Sequence, residues 1–359
     1  MNILVSDISS YKAVVIAKYI RKNYKNINIY SYDNRLFTRY LHTKYTHRNF
    51  VIKPNQDGEI LPLLKIAELI NQQKIDIFFP VHSTYIDLLL SNRTLFGNTL
   101  SYMGSYDSYK ILNDKHNIDK LARRLKIKRP KKYRNIKEAK VKCVIKPRLS
   151  SPSKKVRYVF NEQQLDTLTE AIVKSDEYII QEYIQGVGVG YSVFANQGEI
   201  IRGYGHRRLA EYPITGGASV YRETFENSEM RSITREILKA TKWSGFAMFE
   251  FKLTPDNEIY FLEVNPRIWG SINQGLQNGT NFFSPLLGDI SDSTFGTARE
   301  TKTFLSPVVF LALVMYCFRG QLRPISSFIK NFFMNKCDIA FIDDYKGWLS
   351  VVLRQILRR

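Results

Sequence analysis

Cysteine is scarce in this chain. The three residues Cys143, Cys317 and Cys337 among 359 lie far apart, in no spacing that suits zinc or a disulfide framework. No disulfide and no structural metal are expected, and a reducing compartment fits. The opening MNILVSD has neither the basic start nor the long apolar core of a signal peptide, and reads instead as a buried strand, which points to the cytoplasm. The apolar run 304–318 covers fifteen residues and includes Ser306 and Pro307, short of the ~20 that a membrane-crossing helix needs. It reads as a buried helix, with an interfacial segment as the alternative. The first turn, Ser6-Asp7-Ile8-Ser9-Ser10, has no glycine and so no dinucleotide fingerprint. RNP, KH and zinc motifs are missing, and aromatics are spread through strands rather than interleaved with arginine. No nucleic acid partner is therefore expected. No serine or cysteine has a nucleophile setting, which speaks against a covalent acyl-enzyme.

What is abundant is positive charge and apolar surface. Lys and Arg number 53 against 33 Asp and Glu, a net charge of +20. This implies anionic company or a solvated lysine-rich surface. With 44% hydrophobic and 13% aromatic residues the chain can bury a large core, and its length suggests two or three domains. Residues 3–5, 12–22, 27–32, 61–70 and 75–80 alternate strand-like with helix-like stretches. That is a βαβ rhythm, predicting a Rossmann-like, largely parallel sheet over 1–105. Residues 106–130 read as a helical connector closed by Pro130. Strands are predicted at 142–146 and 178–183 with a helix at 161–174 between them. Hairpins are predicted around Asn196-Gln197-Gly198 and Thr254-Pro255-Asp256-Asn257.

The segment 246–271, FAMFEFKLTPDNEIYFLEVNPRIWGS, concentrates the chemistry. With a four-residue connection Glu250 lies across from Phe261 and diagonal to Glu263, so both carboxylates emerge on one face and Asn265 follows. Two carboxylates among apolar neighbours are costly without a cation between them, and a hard, oxygen-loving ion such as Mg²⁺ resolves the conflict. Arg267 is suitably placed to meet a transferring phosphoryl group.

An acid in a strand, a turn, then L-E-V-N-P-R resembles the metal-binding signature of the ATP-grasp superfamily. The resemblance implies Mg²⁺ (or Mn²⁺) on Glu250, Glu263 and Asn265, with Arg267 and Lys146 as catalytic residues. Asn113-Asp114-Lys115 and Val144-Ile145-Lys146-Pro147 resemble the two lysine elements that meet the phosphates of ATP. Residues 148–156 stand where the family has a glycine-rich flap; here Ser151 and Ser153 take that place. Gln181-Glu182-Tyr183-Ile184 resembles the adenine segment, with Gly186-Val187-Gly188-Val189-Gly190 in place of the usual ribose acid. Thr215 and Gly216 resemble the segment beside ribose and phosphates, while Arg207, Arg208, Arg222 and Arg267 suit an anionic substrate. His206 is not assigned as a base. The run HRRLAEYPITGGASVYRE, with WSGFAMFEFK and NPRIWGS, resembles bacterial carboxylate-amine ligases of surface-polysaccharide loci.

The implied architecture is α/β and α+β. A Rossmann-like domain (1–105) precedes ATP-grasp subdomains at 106–185, bearing the flap, and 186–296, bearing the Mg²⁺ site, and a basic helical extension follows at 297–359. The implied activity joins a small-molecule or saccharide carboxylate to an amine through an acyl phosphate. A glycine-poor flap leaves an ATP-binding protein without ligase chemistry as the second reading. Residues 319–359 carry eight Lys or Arg against three Asp, so peripheral contact with an anionic inner membrane face is expected of the C-terminal basic helices.

Overall fold

A computed structural model describes residues 1–53, 60–81, 83–149, 156–168, 177–214, 216–288 and 300–357. The chain begins with β1 (Asn2–Ser6), α1 (Tyr11–Asn23), β2 (Asn28–Asp33), β3 (Arg48–Val51), α2 (Ile60–Gln72), β4 (Ile77–Phe79) and α3 (Ser83–Ser91). The four strands form an all-parallel sheet in the order β3-β2-β1-β4. Ile3, Leu4 and Val5 are fully buried, as a parallel strand covered on both faces requires. The edge strand β3 escaped the sequence reading because Arg48-Asn49-Phe50-Val51 is half exposed and carries no apolar run.

The predicted single connector is two helices, α4 (Tyr106–Asn113) and α5 (Lys115–Arg124). They part at Asp114, whose extended backbone ends α4 and whose carboxylate accepts from the His116 and Asn117 N–H groups to cap α5. A small antiparallel sheet follows, built from β5 (Lys132–Tyr133), β6 (Cys143–Pro147), β7 (Arg157–Val159) and β8 (Tyr178–Glu182), with α6 (Glu162–Asp166) between the last two strands. Its order is β5-β8-β6-β7.

The large sheet contains β9 (Val187–Asn196), β10 (Glu199–Tyr212), β11 (Ala218–Thr224), then α7 (Ser228–Thr241), β12 (Gly245–Leu253) and β13 (Ile259–Asn265). The β9–β10 hairpin turns at Gln197-Gly198, both with positive φ (49° and 86°), the conformation a two-residue turn demands. In the β12–β13 hairpin the register differs from expectation. The loop has five residues, 254–258, and a bulge falls between Glu250 and Phe251. Phe251 therefore pairs with Phe261, and Glu250 lies directly opposite Glu263. A bulge leaves one residue unpaired and shifts every later partner, which brings the carboxylates closer than a regular ladder allows.

The chain ends with α8 (Ile272–Asn278), α9 (Ser284–Leu287), β14 (Lys302–Phe304), α10 (Val308–Phe318), α11 (Arg323–Lys330), β15 (Asn335–Cys337) and α12 (Tyr345–Ile356). The extension is thus not purely helical. Its β14 and β15 complete the large sheet, ordered β13-β12-β9-β10-β11-β14-β15. Beside this edge the fully buried Arg222 meets the buried Asp338, which also accepts from Asn273 Nδ2 at 2.9 Å. Further on, α12 returns to the first domain, where buried Arg354 reaches Ser9 Oγ at 3.1 Å and Asp7 Oδ1 at 3.4 Å. Against the expectation of a buried helix, α10 buries only Val309 and Ala312.

Removing one member of a buried ion pair leaves the other charge uncompensated. Asp338→Ala should therefore lower unfolding free energy by about 3–5 kcal/mol, read from urea denaturation. A loss below about 1 kcal/mol, the range of exposed pairs, would show that the pair does not hold the extension to the sheet.

Candidate active site

The cations Lys115, Lys146, Arg208 and Arg267 gather with the carboxylates Glu211, Glu250 and Glu263 where the small sheet faces the large one. Lys146 is buried on β6 and its Nζ stands 3.0 Å from Glu263 Oε2 on β13. Lys115, the first residue of α5, approaches the same oxygen at 3.9 Å. Its position is set by Asp114, which takes two charge-assisted hydrogen bonds of 2.9 Å from Arg148 Nε and one of 2.6 Å from Nη2. The Lys115 N–H in turn donates to the Arg148 carbonyl at 3.1 Å. On the large sheet Arg208 Nη2 donates to Glu250 Oε2 at 2.7 Å and Nη1 to Glu211 Oε1 at 3.2 Å. Asn265 links the next pair, with Nδ2 donating to Glu250 Oε1 at 2.9 Å and Oδ1 accepting from Arg267 Nη2 at 3.1 Å.

Arg267 leaves β13 on a segment fixed from two sides. Fully buried Trp269 packs edge-on against Phe282 with centroids 4.9 Å apart. From the first domain, Lys12 Nζ donates to the Ile268 carbonyl at 3.1 Å. The Rossmann-like domain thus helps to place Arg267 without any nucleotide fingerprint of its own.

The electrostatics are those of an anion site. Burial pushes the Glu263 carboxyl up, but Lys115, Lys146 and Arg208 outweigh it and hold it at about 2. Burial lowers both Lys115 and Arg267, against the opposing pull of Glu263 and Glu250. Buried Nε atoms of Arg208 and Arg267 have no hydrogen-bond partner within the protein, a condition that a bound anion relieves. Arg208 also borders a cavity of about 420 Å³, between Tyr158 and Tyr183 of the small sheet side and Gly188 and Lys252 of the large sheet. Tyr316 of α10 also lines it.

The glycine run on β9 has a steric cause. A Cβ at Gly188 would stand 2.8 Å from Arg208 Cδ, and one at Gly190 would stand 2.6 Å from His206 Cε1. The glycines let both side chains of β10 lie across β9.

Lys115, Lys146, Glu250, Glu263, Asn265, Arg208 and Arg267 are therefore brought together. Tyr183 and Gly216 line the cavity, Ile184 is half-buried, and exposed Glu182 accepts from the Lys131 N–H at 3.2 Å. Two expected substrate contacts stand elsewhere. Arg207 pairs with Glu223, and Arg222 is buried on Asp338. Ser151, Ser153 and Thr215 lie outside the described residues. Glu211, Lys252 and Tyr316 were not anticipated. Counting by twos from Glu250 reaches Lys252, but irregular register around Ala210 hides Glu211 from that rule. Tyr316 comes from a segment whose contacts no local pattern reveals.

Among the described residues no group of three or more His, Cys, Asp or Glu comes together to hold a metal. Glu250, Glu263 and Asn265 are two carboxylates and an amide, an oxygen donor set that fits Mg²⁺ or Mn²⁺ and not a soft metal.

The fold is that of the ATP-grasp enzymes, and residues 112–271 match the ATP-grasp domain family. Among solved structures the chain is similar to L-amino acid ligase from Bacillus licheniformis, at 14% identity and TM-score 0.61, over 84% of this chain and 78% of that one. It is similar at 15% identity and TM-score 0.55 to N5-carboxyaminoimidazole ribonucleotide synthetase from Thermotoga maritima, over 77% and 71%. The biotin carboxylase domain of 2-oxoglutarate carboxylase from Hydrogenobacter thermophilus, solved with Mg·ADP and bicarbonate, aligns at 14% identity and TM-score 0.61, over 78% and 67%. No curated protein matches the chain at a significant level.

Burial, with Arg208 and Arg222 nearby, holds His206 at about 3. The native protein refuses a proton that the unfolded chain accepts below about 6.5, so this group's contribution is present above that pH and is lost as pH falls toward 3. His206→Gln should flatten the decline of the urea midpoint between pH 6.5 and pH 4. An unchanged slope would mean that other groups carry it.

Proposed function

We propose that the protein is a Mg·ATP-dependent carboxylate-amine ligase that forms an amide through an acyl phosphate and releases ADP and phosphate. One observation carries this reading. Two lysines of the small-sheet side and two arginines of the large sheet surround Glu250, Glu263 and Asn265, with guanidinium Nε atoms left for an anion.

Glu250, Glu263 and Asn265 would hold Mg²⁺, or Mn²⁺, which when bound offsets charge on the phosphates of ATP. Lys115 and Lys146 orient the triphosphate and offset charge on the transferring phosphoryl group. Tyr183 and Lys252 border the space for the base and ribose. Arg267, with Arg208, orients the acceptor carboxylate. A carboxylate oxygen forms its bond to the γ-phosphorus as the bond to the ADP oxygen breaks, and the amine then displaces phosphate from the acyl carbon. On this reading the domains are 1–105, 106–185, 186–296 and 297–359, and the nucleotide lies in the cleft between the middle two. A metabolite of cell-envelope or surface-polysaccharide assembly, handled in the cytoplasm or at the inner membrane face, is the favoured substrate class.

Glu263→Gln should lower ATP turnover on the order of 100-fold or more, with the unfolding transition retained. Lys146→Ala should weaken nucleotide binding by about tenfold or more, measured by calorimetry. For the reaction course, hydroxylamine replaces the amine while a panel of uronic and amino acids is screened. The productive carboxylate should yield a hydroxamate with ADP. Release of AMP, or ATP consumption indifferent to every carboxylate, would contradict the ligase reading.

A further inference from the structure

The least explained surface of the molecule is the outer side of α10 and α11. The helix α10, VVFLALVMYCF, has no charged residue, yet only Val309 and Ala312 are buried. With Phe328 of α11 they pack on Ala210, Val220 and Tyr221 of the large sheet, and Val308, Leu313 and Tyr316 are partly covered there, while Phe310, Leu311, Val314 and Met315 stay exposed. Exposed Phe310 continues through buried Phe328 (5.9 Å between centroids) to exposed Phe332 (6.2 Å) and Phe333 (5.5 Å), so these aromatic side chains form one connected set. Phe318 is 88% exposed and Phe333 96%. Isolated exposed apolar residues are ordinary; a connected set of this kind marks an interaction site.

Charge decides what it meets. Residues 301–337 contain five cations, Lys302, Arg319, Arg323, Lys330 and Lys336, and no carboxylate. All but Lys302 are exposed. A second copy on a two-fold axis would bring the same cations face to face with no acid to meet them. A nucleic acid would match the cations but leave the phenylalanines without apolar cover. An anionic bilayer matches both, taking the aromatic side chains at the headgroup–acyl boundary and the basic rim at the phosphates. Among the described residues no helix is long and apolar enough to cross a membrane, so the contact lies in the surface plane.

We propose that the α10–α11 face docks this protein on an anionic lipid surface. The proposal does not rest on the terminal helix α12, whose Val351 and Arg354 are buried, with Arg354 engaged by Asp7 and Asp33. The docking face and the cavity share a helix. Tyr316 of α10 lines the cavity, and its hydroxyl accepts from the Glu211 N–H at 3.2 Å, so the docked surface is the outer side of a wall of the site.

The test uses the full-length chain and sedimentation with vesicles of phosphatidylcholine alone or mixed with phosphatidylglycerol. The wild type should sediment with the mixed vesicles and not with phosphatidylcholine. The double variants Phe332→Ser/Phe333→Ser and Arg323→Glu/Lys330→Glu change exposed positions. Each should weaken binding by at least ~10-fold with an unchanged urea midpoint. Failure of the wild type to bind mixed vesicles would overturn the proposal, as would equal binding by both variants. A concentration-dependent dimer in analytical ultracentrifugation, abolished by the phenylalanine changes while vesicle binding is absent, would assign the face to a second copy instead.

Discussion

The ion pair between Lys146 and Glu263, at 3.0 Å, joins a buried lysine of the small sheet to a carboxylate of the large one, and the rest of the site is arranged around it. Neither partner is comfortable alone. A carboxylate in this half-buried place would be pushed toward its neutral form, and only Lys115, Lys146 and Arg208 together keep it ionised. The two sheets are consequently held at a distance where an anion entering between them meets lysines on one side and carboxylates, an amide and arginines on the other.

The same pairing explains why the site contains more cation than a rigid structural network needs. Arg208 divides itself between Glu250 and Glu211, Asn265 between Glu250 and Arg267. Each carboxylate proposed to hold a metal is meanwhile paired with a cation of the site, Glu263 with Lys146 and Glu250 with Arg208. On the proposed function, exchange of partners rather than creation of new charge is the change that Mg·ATP binding would ask of these residues. The ions need little rearrangement because their supports lie outside the exchange: Asp114 with Arg148 behind Lys115, Trp269 and the Lys12–Ile268 bond behind Arg267, and Gly188 and Gly190 beneath Arg208 and His206.

Much of this arrangement is legible in the sequence, for identifiable reasons. The parallel sheet announces itself because Ile3, Leu4 and Val5 form a short unbroken apolar run, and the carboxylates because strand alternation and a short loop put them on one face. What local pattern cannot supply is the irregular or the distant. The bulge that sets Glu250 opposite Glu263 has no glycine or proline to betray it. Arg222 reads like its neighbours Arg207 and Arg208, and only the return of Asp338, 116 residues later, takes it out of the site. The run 304–318 looks like core because a helix apolar all round normally is; among α10's residues only Val309 and Ala312 are buried.

The partner-exchange account is tested most directly by measuring ATP affinity calorimetrically with and without Mg²⁺, for the wild type and Glu263→Gln. Removing this carboxylate charge releases Lys146 and Lys115 for phosphate while taking away a metal ligand. The account predicts that the variant binds metal-free ATP at least as tightly as the wild type does, and that the gain in affinity on adding Mg²⁺ disappears. Metal-free ATP binding that is lost in the variant, or a Mg²⁺-dependent gain that survives in full, would contradict it.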